Sequence, residues 1–148
     1  MRETIIQLLL ADDDIDDCDL FKEALEELQL STELNIVHNG EQLMQLLEEK
    51  AGVLPKVLFL DLNMPKKNGF ECLAEIKKND NLKNLPVIIF STSFDRDIVN
   101  LLFDKGAHYY ISKPNEFDKL KTVIHKALSA VTKDGDEKPI RENFILQS

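Results

Sequence analysis

Apolar and polar residues follow one another along this chain in blocks of two kinds. An almost unbroken apolar run covers residues 5–11, and behind it Ile15, Cys18, Phe21, Leu25 and Leu28 recur at helical spacing. The first block predicts a buried strand and the second an amphipathic helix. The alternation continues with a short strand near 34–38, a helix over 41–49 after Gly40, and a strong apolar strand at 57–60 after Pro55. A helix near 70–78, a strand at 87–90 after Pro86, a helix near 95–104 and a strand at 109–112 keep the same order. A last helix carries Phe117, Leu120, Ile124, Ala127, Leu128 and Val131 on one stripe and leaves Lys119, Lys121 and Lys126 to water.

Strands that read as continuous apolar runs belong to parallel sheets covered on both faces, and right-handed crossovers then wind the chain in both directions from the first strand. The pattern therefore predicts an α/β architecture, a doubly wound five-stranded parallel sheet with five helices. A length of 148 residues suits one such domain. We expect it over residues 1–131, followed by a C-terminal tail, 132–148, with no effector domain. The tail is polar from Lys133 to Pro139 and apolar again at Phe144, Ile145 and Leu146, so it either docks on the domain, docks on a partner or frays in solvent. Asp14 is a natural N-cap for the first helix, with Asp16 and Asp17 at its positive end. Gly69 is expected to permit a tight backbone and Gly106 to cap a helix C-terminus.

Charge narrows the partners. Twenty-seven acidic against 18 basic side chains give a formal net charge of -9, which repels the phosphate backbone of nucleic acids. The apolar runs are too short to span a bilayer, and the N-terminus lacks the basic lead of a signal peptide. No nucleic acid, no membrane and a cytoplasmic location are the expectations. Cys18 and Cys72 have neither the number nor the spacing of a disulfide framework or zinc site and are read as reduced packing residues. His38, His108 and His125 are too scattered to form a metal set.

In an open parallel sheet, sites gather beyond the carboxyl ends of the strands. Those ends read Asp12-Asp13-Asp14, Asp61-Leu62-Asn63-Met64-Pro65, Ser91-Thr92-Ser93 and Lys113-Pro114. Crowded carboxylates repel one another unless a cation offsets them, and an all-oxygen cluster suits a hard ion such as Mg²⁺. Asp12 and Asp13, which end a buried strand, fit that role; Asp14, Asp16 and Asp17 read as the acidic start of a helix.

The acidic pair, the aspartate two residues before Asn-Met-Pro, the hydroxyl residue and the Lys-Pro, in this order over residues 5–131, resemble the response-regulator receiver family. The resemblance implies a (βα)5 flavodoxin-like fold and a two-component signalling role. It implies a phosphoryl group accepted on Asp61 from a sensor histidine kinase or phosphotransfer protein. Asp13, Asp61 and the main-chain carbonyl of Asn63 would hold Mg²⁺ or Mn²⁺, with Asp12 acting through a coordinated water and Lys113 offsetting charge. Ser91 would be the switch hydroxyl, with Thr92 adjoining it, and Tyr110 the switch aromatic, with Tyr109 the competing position. Asn63 and Ser93 would stand beside the phosphoryl group and bear on its lifetime. A cis Lys113-Pro114 bond and output through a downstream protein or a homodimer are further implications. Within the family the chain resembles the small single-domain, chemotaxis-regulator-like receivers, among them those paired with phytochrome-type or hybrid kinases. Fewer of the residues suit a haloacid dehalogenase-type phosphatase, whose nucleophile would be Asp12 with Asp14 at Asp-x-Asp spacing, or a receiver scaffold that takes no phosphate.

Overall fold

The computed structural model describes residues 5–50, 53–92, 94–134 and 137–147. Strands and helices alternate as β1 (Ile6–Ala11), α1 (Ile15–Leu28), β2 (Thr32–Val37), α2 (Gly40–Glu49), β3 (Val57–Leu60), α3 (Gly69–Lys78), β4 (Val87–Ser91), α4 (Arg96–Asp104), β5 (Tyr109–Ser112) and α5 (Phe117–Asp134). The expected winding is found, with strand order β2-β1-β3-β4-β5 and every neighbouring pair parallel.

One element was not expected. After a 3-10 turn at Arg141–Asn143, residues Ile145–Leu146 form β6, which pairs in parallel with β5 and makes the sheet six-stranded. The cause is the apolar segment at the chain's end: Phe144 is buried, and its carbonyl accepts a hydrogen bond from the Tyr110 N–H at 2.9 Å. Helix α5 also runs on to Asp134, three residues past the expected boundary at 131.

Alternation along each strand divides the core in two. Leu9, Ala11, Leu58, Leu60, Val87, Ile89 and Tyr110 face the side covered by α2, α3 and α4. Leu8, Leu10, Phe59, Ile88, Phe90, Tyr109 and Ile111 face α1 and α5. On this second side Phe21, Phe59 and Phe90 meet edge-on, with ring centroids 4.9, 5.6 and 6.4 Å apart.

Local chemistry sets the helix starts. The Asp14 side chain accepts from the Asp17 N–H at 3.1 Å and caps α1, as expected. Asn68 and Glu71 form a reciprocal capping box at α3. Gly106, at φ +102°, closes the turn after α4 in a conformation that L side chains rarely adopt.

Candidate functional site

Register brings the site together. Ala11 pairs with Leu60, and the Asp61 N–H donates to the Ala11 carbonyl at 2.9 Å, so Asp12 and Asp61 leave adjacent strands side by side. On the other flank Ser91 pairs with Ser112, and the Lys113 N–H donates to the Ser91 carbonyl at 2.8 Å. One row of strand ends thus carries two acids, a hydroxyl and an amine that lie far apart in sequence.

Oxygens of Asp12, Asp13 and Asp61 lie within 4.8 Å of one another; Asp13 is exposed, while Asp12 and Asp61 are buried. Both Asp12 oxygens are engaged: Oδ1 accepts from the Asp14 N–H at 3.0 Å and Oδ2 from Lys113 Nζ at 2.7 Å. The Asp12 carbonyl accepts from His38 Nδ1 at 3.0 Å and from the Cys18 thiol at 3.5 Å. Gly69 holds the next loop close, because a Cβ there would stand 2.3 Å from the Asp61 carbonyl oxygen and 2.8 Å from Leu62 Cα. This is the tight backbone its position implied.

Lys113 Nζ also reaches Asp17 Oδ2 at 2.8 Å and Asp61 Oδ2 at 3.8 Å, and it lies 5.3 Å from the centre of the Phe90 ring. Asp17 is therefore part of the charge network as well as the helix start that it was read to be. Nothing in its spacing from Lys113, 96 residues away, shows this; only α1 lying beside the end of β5 does.

The charges are unevenly matched. Burial, opposed by Lys113 and reinforced by the Asp12 charge and a side-chain hydrogen bond to Asp12, pushes the Asp61 carboxyl up to about 7. The Asn63 N–H donates to Asp61 and offsets part of this. Burial would lower the Lys113 ammonium, but hydrogen bonds to Asp12 and Asp17 outweigh it and hold its pKa above the ordinary lysine value. Asp12, Asp17 and Asp61 surround the one ammonium and Asp13 joins Asp12 and Asp61 beside it, which leaves negative charge uncompensated. An all-oxygen donor set with that deficit fits a divalent cation.

Ser91 and Tyr110 lie on the same face of the sheet and share a side-chain hydrogen bond. Tyr110 is fully buried and already points inward, with Phe94 edge-on at 6.2 Å; burial raises its hydroxyl pKa. Tyr109 faces the opposite side, so Tyr110 is the tyrosine that neighbours Ser91. Thr92 is exposed, and Ser93 lies outside the described residues.

Two further expectations meet the structure. The Lys113-Pro114 bond is trans, contrary to the implied cis form: trans is favoured before proline by about 0.5–1 kcal/mol, and Lys113 makes its hydrogen bonds to Ser91, Asp12 and Asp17 without the rarer isomer. Cys18 and Cys72 are free and buried, and burial pushes their thiols up to about 12 and about 11, which disfavours the reactive thiolate.

Strand-end acids, a hydroxyl and a lysine on a doubly wound sheet define a receiver-type α/β fold, and comparison with known proteins agrees. Residues 8–125 match the response regulator receiver domain, and the chain belongs to that family. It is a response regulator receiver of two-component signalling. It is 34% identical over 121 residues to the response regulator Rcp1 of Synechocystis sp., covering 79% of this chain and 82% of that protein. The structure of Mn²⁺-bound Rcp1 superposes with a TM-score of 0.74 at 30% identity, over 90% of this chain and 99% of the other. A phosphorylated cyanobacterial phytochrome response regulator, RcpA, superposes with a TM-score of 0.76 at 33% identity, over 86% and 94%.

Proposed function

We propose that Asp61 is the phosphoacceptor and that Mg²⁺, with Mn²⁺ as the alternative, is the cation bound beside it. The observation that carries this reading is the placement of the Asp61 carboxylate within 4.8 Å of Asp12 and Asp13 oxygens and 3.8 Å from Lys113 Nζ. Asp13, Asp61 and the Asn63 carbonyl are assigned as direct ligands. Asp12, whose two oxygens are already hydrogen-bonded, acts through water. When bound, a cation held by these residues would supply charge neutralisation at the phosphoryl oxygens and would favour the ionised form of the Asp61 carboxyl.

An Asp61 oxygen attacks the phosphorus of a phosphohistidine on a sensor kinase or phosphotransfer protein. The O–P bond forms as the P–N bond breaks, and the imidazole leaves with the electron pair. Lys113 turns from Asp12 and Asp17 toward a phosphoryl oxygen, and the Ser91 hydroxyl donates to another. Water attack on phosphorus later returns the carboxylate and releases inorganic phosphate. The chain is thus a signalling switch rather than a metabolic enzyme, working in the cytoplasm on proteins and not on nucleic acid or membrane. Its receiver unit, expected over 1–131, extends to the end of α5 at Asp134 with the residues after it as an appended tail, and its output is contact with a downstream protein or a second copy.

Incubation with acetyl phosphate and Mg²⁺, followed by peptide mass analysis, tests the assignment. One phosphoryl group on the peptide holding Asp61, absent in Asp61→Asn, is expected; undiminished labelling of that variant overturns it.

A further inference from the structure

The described part of the tail, residues 137–147, grips the two elements that flank Tyr110. Arg141 donates to Asn100 Oδ1 at 2.7 Å and to Asp104 Oδ1 at 3.0 Å, both on α4, and its guanidinium lies 4.8 Å from the centre of the Phe103 ring. The Lys138 ammonium sits 3.9 Å from the same ring and donates to the Phe103 carbonyl. Beneath this clamp Phe144 meets Phe103 edge-on at 5.2 Å and enters the core cluster that contains Tyr110, Val99 and Leu102. Its carbonyl takes the Tyr110 N–H, and Ile145 pairs with Tyr110 in the sheet.

Without these contacts β5 would be a sheet edge, and the core cluster that Tyr110 shares with Phe144 would lose a buried ring and open to water. An outward ring would then be accessible, and the hydrogen bond that ties Tyr110 to Ser91 would be one of several alternatives. With the tail docked, the ring has one place, and Ser91, on the strand between those of Asp61 and Tyr110, is held by it. A group that must donate to a phosphoryl oxygen works better when its position is fixed beforehand, because the fraction of competent molecules enters the apparent affinity directly.

We propose that the strap 137–147 is a positioning element for the phosphoryl site: Phe144, locked down by Arg141, keeps Tyr110 inward and thereby favours occupancy at Asp61. This rests on Asp61 being the phosphoacceptor. By linkage the effect is reciprocal, and occupancy at Asp61 tightens the strap.

The test uses the full chain carrying Tyr109→Phe. The sequence has two tyrosines and no tryptophan, so intrinsic fluorescence then reports Tyr110 alone. Acrylamide quenching measures exposure of the ring, and calorimetric titration with beryllofluoride in Mg²⁺ measures affinity for a phosphoryl mimic. Phe144→Ala should raise quenching severalfold and weaken beryllofluoride binding about fivefold or more. Arg141→Ala should move both in the same direction by less, and Phe144→Leu should restore both. Arg141 is half exposed and keeps the test valid if Phe144→Ala fails to fold. Quenching unchanged in both variants overturns the grip on Tyr110. Raised quenching with beryllofluoride affinity equal to the parent's overturns the link to Asp61. A parent that binds no beryllofluoride refutes the phosphoacceptor reading, and the link with it, while quenching still decides whether the strap holds the ring.

Discussion

Lys113 has carboxylate oxygens at 2.7, 2.8 and 3.8 Å, from Asp12, Asp17 and Asp61, and its own side chain is nearly buried. Removing it leaves buried negative charge without a partner, so Lys113→Ala should destabilise the cation-free protein by on the order of 3 kcal/mol at pH 7. Urea unfolding with and without Mg²⁺ checks this, and Mg²⁺ should recover part of the loss. Asp61 makes a second prediction. Its folded pKa, about 7, lies above that of a free carboxyl, so between pH 4 and 7 the native state holds a proton that the unfolded chain has released. Its contribution is present in full below pH 4 and is lost as pH rises through 7, by an amount on the order of 2–4 kcal/mol. Asp61→Asn should flatten that part of the pH profile and stabilise the cation-free protein at pH 8, read from urea midpoints at pH 5 and 8. Asp12, Asp13, Asp61, Ser91 and Lys113 were legible as strand ends; Asp17 was not, because a helix-start acid and a lysine partner look alike until α1 is placed beside β5.

Backbone geometry decides how well the elements deliver those groups. Gly69 begins α3 directly against the Asp61 carbonyl, where an added methyl would force backbone rather than a side chain to move. Gly69→Ala should cost about 1–3 kcal/mol and lower phosphoryl labelling of Asp61 together with stability. Asp14→Ala should cost about 1 kcal/mol through loss of the α1 cap, with labelling retained at temperatures well below the melting point. Periodicity foretold all five helices and the first five strands to within a few residues, since each buries a long apolar face. Strand β6 escaped because two residues have no period; the apolar triplet at 144–146 hinted at docking without saying where. The inward setting of Tyr110 was equally hidden, since Phe94 meets its ring and Phe144 joins its core cluster from segments distant in sequence.

For the molecule as a whole, stability should be graded. Strands β1, β3 and β4 are buried along both faces, whereas the strap is held by one buried aromatic, a two-residue strand and an exposed ion pair. Amide hydrogen exchange should find residues 137–147 opening well below the free energy of global unfolding, and amides of β1 and β3 exchanging only at that limit. The parity of strand residues has a wider consequence. Asp17 and Lys113 are bonded on the side of α1 and α5, while Ser91, Tyr110 and Phe144 lie on the side of α4, with Asp61 between them. A substitution at Asp17 should therefore reach the Asp61 carboxyl through the Lys113 ammonium and one at Ser91 from the opposite face, so that a single buried acid can be tuned from either wall of the sheet.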